Sequence, residues 1–189
     1  MIHLRVDDYP SGSELCQIPA DYAAMLAGFK QALGAAPFCL GVVFGFLPPG
    51  EIEALLRDPQ IQVAAHGMTH SRHECESEAA VKEMRLWLGD ERPAIIIPPM
   101  NIVRDYGLLS RHFDLILTGP HQEERKGWPQ ARWPAFYGRA SELLALPELP
   151  KDGIIALHLT WEAAGDFGSI RELAARGYWR GAVELGERE

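Results

Sequence analysis

Two histidines four residues apart, His66 and His70, follow a short apolar run at residues 61–65, with Gly67 between them. The run reads as a buried strand, because it is brief and ends at a glycine. In α/β folds the loop after a strand end is where the chemistry is placed. Two imidazoles at this spacing can converge on one point, from a helix turn or across a tight loop. Imidazole is the commonest metal ligand near neutral pH. The competing reading, a pair of solvated surface histidines, loses ground to a distant second stretch. Residues 2–10 alternate in strand fashion, then present the adjacent carboxylates Asp7 and Asp8 before Pro10 stops the strand. One of these aspartates with His66 and His70 would make a three-ligand site with open positions, which is how catalytic zinc sites are built. The other aspartate would remain free to act as a base.

Two further strand ends carry polar punctuation: Ile97-Pro98-Pro99-Met100-Asn101, and Leu157-His158 followed by Trp161. The elements that must position them alternate along the chain. Strands are expected at residues 2–6, 38–46, 61–65, 94–97, 115–118, 143–146 and 154–158. Helices are expected at 20–33, 51–56, 76–88, 103–112 and 170–178, and residues 119–141 read as irregular. Strands alternating with helices imply parallel pairing. The expected fold is α/β, a small or incomplete β/α barrel of about seven parallel strands formed by residues 1–189 as a single domain; an open doubly wound sheet is the alternative. In a parallel barrel the C-terminal strand ends share one face, so Asp7, Asp8, His66, His70, Pro99 to Asn101 and His158 would meet there. A buried aspartate pair with no partner would be very costly.

The 189 residues are 47% hydrophobic and 23% charged, ordinary for a globular protein, and the net charge of -8 gives nucleic-acid binding no electrostatic support. No apolar run approaches the ~20 residues that span a bilayer. The N-terminus lacks a secretory pattern. Three scattered cysteines, Cys16, Cys39 and Cys75, form neither a disulfide framework nor a metal knuckle. The expected location is a reducing compartment, most simply the cytoplasm.

These residues resemble the polysaccharide deacetylase superfamily, the NodB-homology group of carbohydrate esterase family four. Val6-Asp7-Asp8 matches its strand ending in Asp-Asp, and His66 with His70 matches its His-x-x-x-His. Pro98-Pro99 matches part of its Arg-Pro-Pro-Tyr-like turn, and Leu157-His158 its Leu-His strand end. The wording His-Gly-x-x-His and Pro-Pro-x-Asn is similar to a divergent branch of that superfamily. Ile97 and Met100 stand where the family carries Arg and Tyr, and no match is found to the Asp/Trp motif that orients the acid histidine.

The resemblance implies a divalent metal, zinc by default, held by Asp8, His66 and His70. It implies Asp7 as the general base and His158 as the general acid. In the turn at Pro99 and Met100, the Met100 backbone N–H would face the oxyanion, since proline carries none. Asn101, Trp161 and Arg132 are further candidate substrate contacts, with Arg132 on the irregular stretch. The implied reaction removes an acyl group from an amide, above all N-deacetylation of an N-acetylated sugar or polysaccharide precursor. The alternatives are hydrolysis of another non-peptide C–N bond and a catalytically inactive carbohydrate-binding relic. The expected partner is a small-molecule or oligosaccharide substrate.

Overall fold

In the computed structural model, which describes residues 2–11, 18–19, 21–90, 93–118, 136–148 and 150–177, the alternating N-terminal segment is a strand, β1 (Ile2–Tyr9). Helix α1 (Tyr22–Leu33) follows and ends at Gly34, whose φ of 73° suits a residue without Cβ. The order then runs β2 (Phe38–Val42), α2 (Pro49–Leu56), β3 (Ile61–Ala65), α3 (Glu78–Trp87), β4 (Ile95–Ile96), α4 (Tyr106–Ser110) and β5 (Leu115–Ile116). Beyond residue 135 come β6 (Phe136–Gly138), α5 (Ala140–Leu144), β7 (Gly153–Leu157), α6 (Leu159–Ala164) and α7 (Gly168–Ala175). Among the described residues, no helix is long and apolar enough to cross a membrane.

All seven strands are parallel and lie in the order β5-β4-β3-β2-β1-β7-β6. Read as a circle, this is the sequential order of a β/α barrel opened between β5 and β6. The fold is an incomplete barrel, as expected, and its open seam falls between two strands that are consecutive in sequence.

Several boundaries differ from expectation. The segment at residues 143–146 is not a strand. Ala140, Leu143 and Leu144 recur at helical spacing, and the Glu142 carboxylate accepts the Arg139 N–H at 2.8 Å, so the segment is capped as helix α5. The sixth strand is instead Phe136–Gly138, within the stretch read as irregular. β2 ends at Val42, and Phe44–Phe46 forms a 3-10 turn rather than more strand. α6 was not foreseen in the sequence; it begins directly after His158.

The parity of each strand sorts its residues between two faces. On one face Leu4, Val6, Leu40, Val42, Val63, Ala65, Ile96, Ile155 and Leu157 join helical residues such as Leu26, Phe29, Ile52, Val81 and Leu173 in one large apolar cluster. On the other face Cys39, Ala64, Ile95, Ile97 and Leu117 form a smaller one. Burial on both faces is what a parallel sheet requires. On β1 this second face is not apolar: Arg5, in register with Cys39 and Ala156, is 1% exposed.

A candidate metal and catalytic site at the strand ends

Adjacent residues of a regular strand point to opposite faces, so Asp7 and Asp8 cannot both reach one cavity from an ideal β1. The strand resolves this by bulging. Val6 pairs with Leu40 and Tyr9 with Val42, so three steps along β1 match two along β2. Asp8 takes a left-handed φ of 64° within the bulge. Both carboxylates consequently line a cavity of about 400 Å³, together with His66, His70, Met100, Asn101 and His158.

The histidine loop is built from three local devices. His66 continues β3, its N–H donating to Val42 O at 2.9 Å. Gly67, at φ 98°, turns the chain where a Cβ would collide with the Glu74 carboxylate. That carboxylate accepts the Met68 and Thr69 N–H groups at 3.0 and 2.6 Å and also the Thr69 hydroxyl. From the β2 side, Phe44 and Gly45 donate to Gly67 O and Met68 O at 3.0 and 2.9 Å. His70 then enters at φ 58°. Six described non-glycine residues have positive φ, and four of them, Asp8, His70, Met100 and Asn101, line this one cavity. Backbone strain of this kind costs on the order of 1–3 kcal/mol per residue and clusters at functional sites.

Asp8 is the hub. Its Oδ1 lies 2.5 Å from His66 Nε2 and 2.9 Å from His70 Nε2. Its Oδ2 lies 2.9 Å from His158 Nδ1, within ion-pair reach but outside hydrogen-bond geometry. Burial alone would raise the Asp8 pKa; the contacts with His158, His66 and His70 outweigh it and hold the carboxyl well below the usual carboxylate range. Burial would likewise lower His70, but its bond to Asp8 and the charges of Asp8, Glu74 and Asp7 raise it above its ordinary value.

Asp8, His66 and His70 are all buried, and their ligand atoms lie within 4.8 Å of one another, a group able to hold a metal ion. The donor chemistry fits a divalent cation. The His66 Nδ1 sits 2.6 Å from Ile97 O, where it must carry the proton and donate, so Nε2 presents its lone pair to the site. Asp7 stands apart from the group. Arg5 Nη2 donates to Asp7 Oδ2 at 2.6 Å, while Oδ1 is buried without a partner.

The cavity gathers Asp7, Asp8, His66, His70, Met100, Asn101 and His158, all expected from the sequence. Met100 is 48% exposed at its mouth. Pro99 does not line it: the ring is buried, 3.0 Å from where a Cβ on Gly67 would stand, and so braces the histidine loop. Trp161, 41% exposed, is also not a lining residue; its ring packs on His158 with centroids 4.0 Å apart, and the Arg139 guanidinium carbon lies 4.4 Å from the Trp161 ring centroid. Arg132 lies outside the described residues. Sequence reasoning missed Arg5, Glu74 and Tyr137. Arg5 left one signal, its shared strand parity with Asp7. Glu74 and Tyr137 left none of comparable strength.

No sequence-family model matches the chain, and no curated protein matches it in sequence. Solved structures do match. A family 4 carbohydrate esterase from Streptomyces lividans, in complex with acetate, aligns at a TM-score of 0.60 and 14% identity, covering 98% of this chain and 92% of that one. The CE4 domain of a multidomain xylanase from the hindgut metagenome of Trinervitermes trinervoides aligns at 0.58 and 14%, covering 96% and 86%. A CE4 family pseudoenzyme from Bacillus anthracis aligns at 0.58 and 12%, covering 97% of this chain and 63% of that one. The chain therefore has the polysaccharide-deacetylase fold of the family 4 carbohydrate esterases.

Proposed function

We propose that the protein is a divalent-metal-dependent hydrolase that removes an acyl group from an amide, acting by N-deacetylation of an N-acetylated sugar or polysaccharide precursor. The observation that carries this reading is the division of labour between neighbours. Asp8 meets His66 and His70 in a buried three-donor group, while Asp7, one residue away, keeps a buried oxygen without a partner. Zinc is the ion that this donor set suits first. Held there, it would supply Lewis acidity toward the amide carbonyl and make water a stronger acid.

The remaining steps belong to the chain. Asp7 Oδ1 accepts a proton from the attacking water as the new C–O bond forms. His158, held against Asp8 and packed on Trp161, delivers a proton to the amide nitrogen as the C–N bond breaks. The products are a carboxylate and a free amine. Met100 at the mouth and Asn101 in the wall shape the space for the sugar, and Trp161 contributes an exposed aromatic surface beside the acid. Cys39 and Cys75 are free, and burial pushes both thiols up to about 12, consistent with packing roles in a reducing compartment.

The test is elemental analysis paired with an acetate-release assay on N-acetylated sugars and small amides. The expected result is one metal ion per chain and release of acyl product, with both lost in Asp8→Ala. Absence of stoichiometric metal overturns the reading. Bound metal and bound glycan without turnover across the panel would replace it with a non-catalytic carbohydrate binder.

A further inference from the structure

Arg5 is the most deeply buried charged residue described here, and packing does not account for it. It is 1% exposed, on a strand face where its register partners are Cys39 and Ala156. An apolar side chain of similar volume would fill that space without the desolvation cost of a guanidinium. The cost is only partly recovered, because Nε and Nη1 are buried without partners. Among the described residues its hydrogen bonds converge through Nη2: to Asp7 Oδ2 at 2.6 Å, to Asn101 Oδ1 at 3.0 Å and to Tyr137 Oη at 3.0 Å. The guanidinium carbon also lies 5.6 Å from the Tyr137 ring centroid. Asn101 comes from the turn after β4 and Tyr137 from the edge strand β6, so two separate walls fix the guanidinium before it fixes Asp7.

Resting on the function proposed above, we propose that Arg5 is a positioning residue that sorts the two adjacent aspartates into different roles. Its contact occupies Asp7 Oδ2 and places a fixed positive charge beside that carboxylate, so a metal cation is directed to Asp8. Asp7 Oδ1 stays available to water. Two neighbouring carboxylates on one cavity would otherwise both be drawn to the same ion.

The test reads Arg5→Lys, Arg5→Met and Tyr137→Phe by three measurements: the d–d absorption of bound Co²⁺, kcat against KM, and the unfolding midpoint of the metal-free protein. In Arg5→Met, Asp7 is freed to join the ion. The Co²⁺ absorption should weaken and shift toward higher coordination, and kcat should fall on the order of 10²-fold with KM held. Arg5→Lys, which keeps the charge, should restore the wild-type Co²⁺ spectrum and part of kcat. Tyr137→Phe should lower kcat several-fold with the spectrum unchanged. A folded Arg5→Met with wild-type spectrum and kcat overturns the proposal. If Arg5→Met does not fold, Arg5→Met/Asp7→Asn decides the matter: recovered folding supports the pairing, and continued failure shows that Arg5 acts through packing and overturns it. If wild-type protein hydrolyses no amide, the function reading fails on its own, and the Co²⁺ and unfolding measurements still decide the role of Arg5.

Discussion

The two faces of β1 differ in how many residues share each task. On the helix-covered face Leu4 and Val6 are two among some three dozen buried apolar residues, all held by the same non-directional burial. On the cavity face Arg5 and Asp7 act through a few directed contacts, and Asp8 reaches the same cavity only because the strand bulges. Apolar packing spreads a defect over many neighbours. A directed polar contact concentrates it on one atom. Substitutions on the two faces should therefore separate stability from chemistry.

The sharpest break comes from Asp7→Asn. It keeps shape and volume while removing a proton acceptor, so acyl release should fall about 10²–10⁴-fold. Metal stoichiometry should hold at the wild-type value, because Asp7 lies outside the three-donor group. A fall in both together would dissolve the distinction between the two aspartates.

The opposite experiment is Phe29→Ala. Phe29 is fully buried on the helix side and meets Phe38 and Phe167 edge-on at 5.0 and 6.0 Å. Its truncation should cost about 3–5 kcal/mol in denaturant unfolding. Metal binding should survive wherever the variant is folded.

Glu74→Ala probes the boundary between the faces. Glu74 holds the Met68 and Thr69 amides between His66 and His70. Its loss should weaken metal affinity about 10–100-fold, measured by competition with a chelator, with a small change in the unfolding midpoint.

The mildest effect is a pH trend. The His70 pKa is raised above its ordinary 6.5, so its contribution to metal-free stability is full below that value and is lost as pH rises through the folded value. The Asp8 pKa is lowered below 3.8, so its contribution is present above that value and is lost as pH falls through the folded value. Metal-free protein should accordingly unfold more easily at pH 8 than at pH 6. Metal requires His70 neutral, so its affinity should rise over the same interval and reverse the trend at saturation. Thermal unfolding with and without Zn²⁺ reads both signs.

Much of this site was legible from local spacing. His66 and His70 share a loop, Asp7 and Asp8 end a strand, and His158 ends another, so each motif lies within a few residues of the others in its own segment. Their convergence followed from one topological rule, that parallel strands put their C-terminal ends on one side. The misreadings have local causes. At residues 143–146 a short apolar run does not distinguish strand from helix, and the Glu142 contact with the Arg139 N–H settles it. The strand Phe136–Gly138 is three residues long, too short for any periodicity to register.

The sequence by itself determined the alternation of elements, the parity of each strand and the identity of the candidate donors, because these depend on residues a few positions apart. Tertiary structure alone decided where the barrel opens, that Arg5 meets Asp7, and that Asn101 and Tyr137 brace that arginine from 96 and 132 residues away. Such contacts depend on how far strands curl and where one of them bulges, and those are set by packing across the whole sheet.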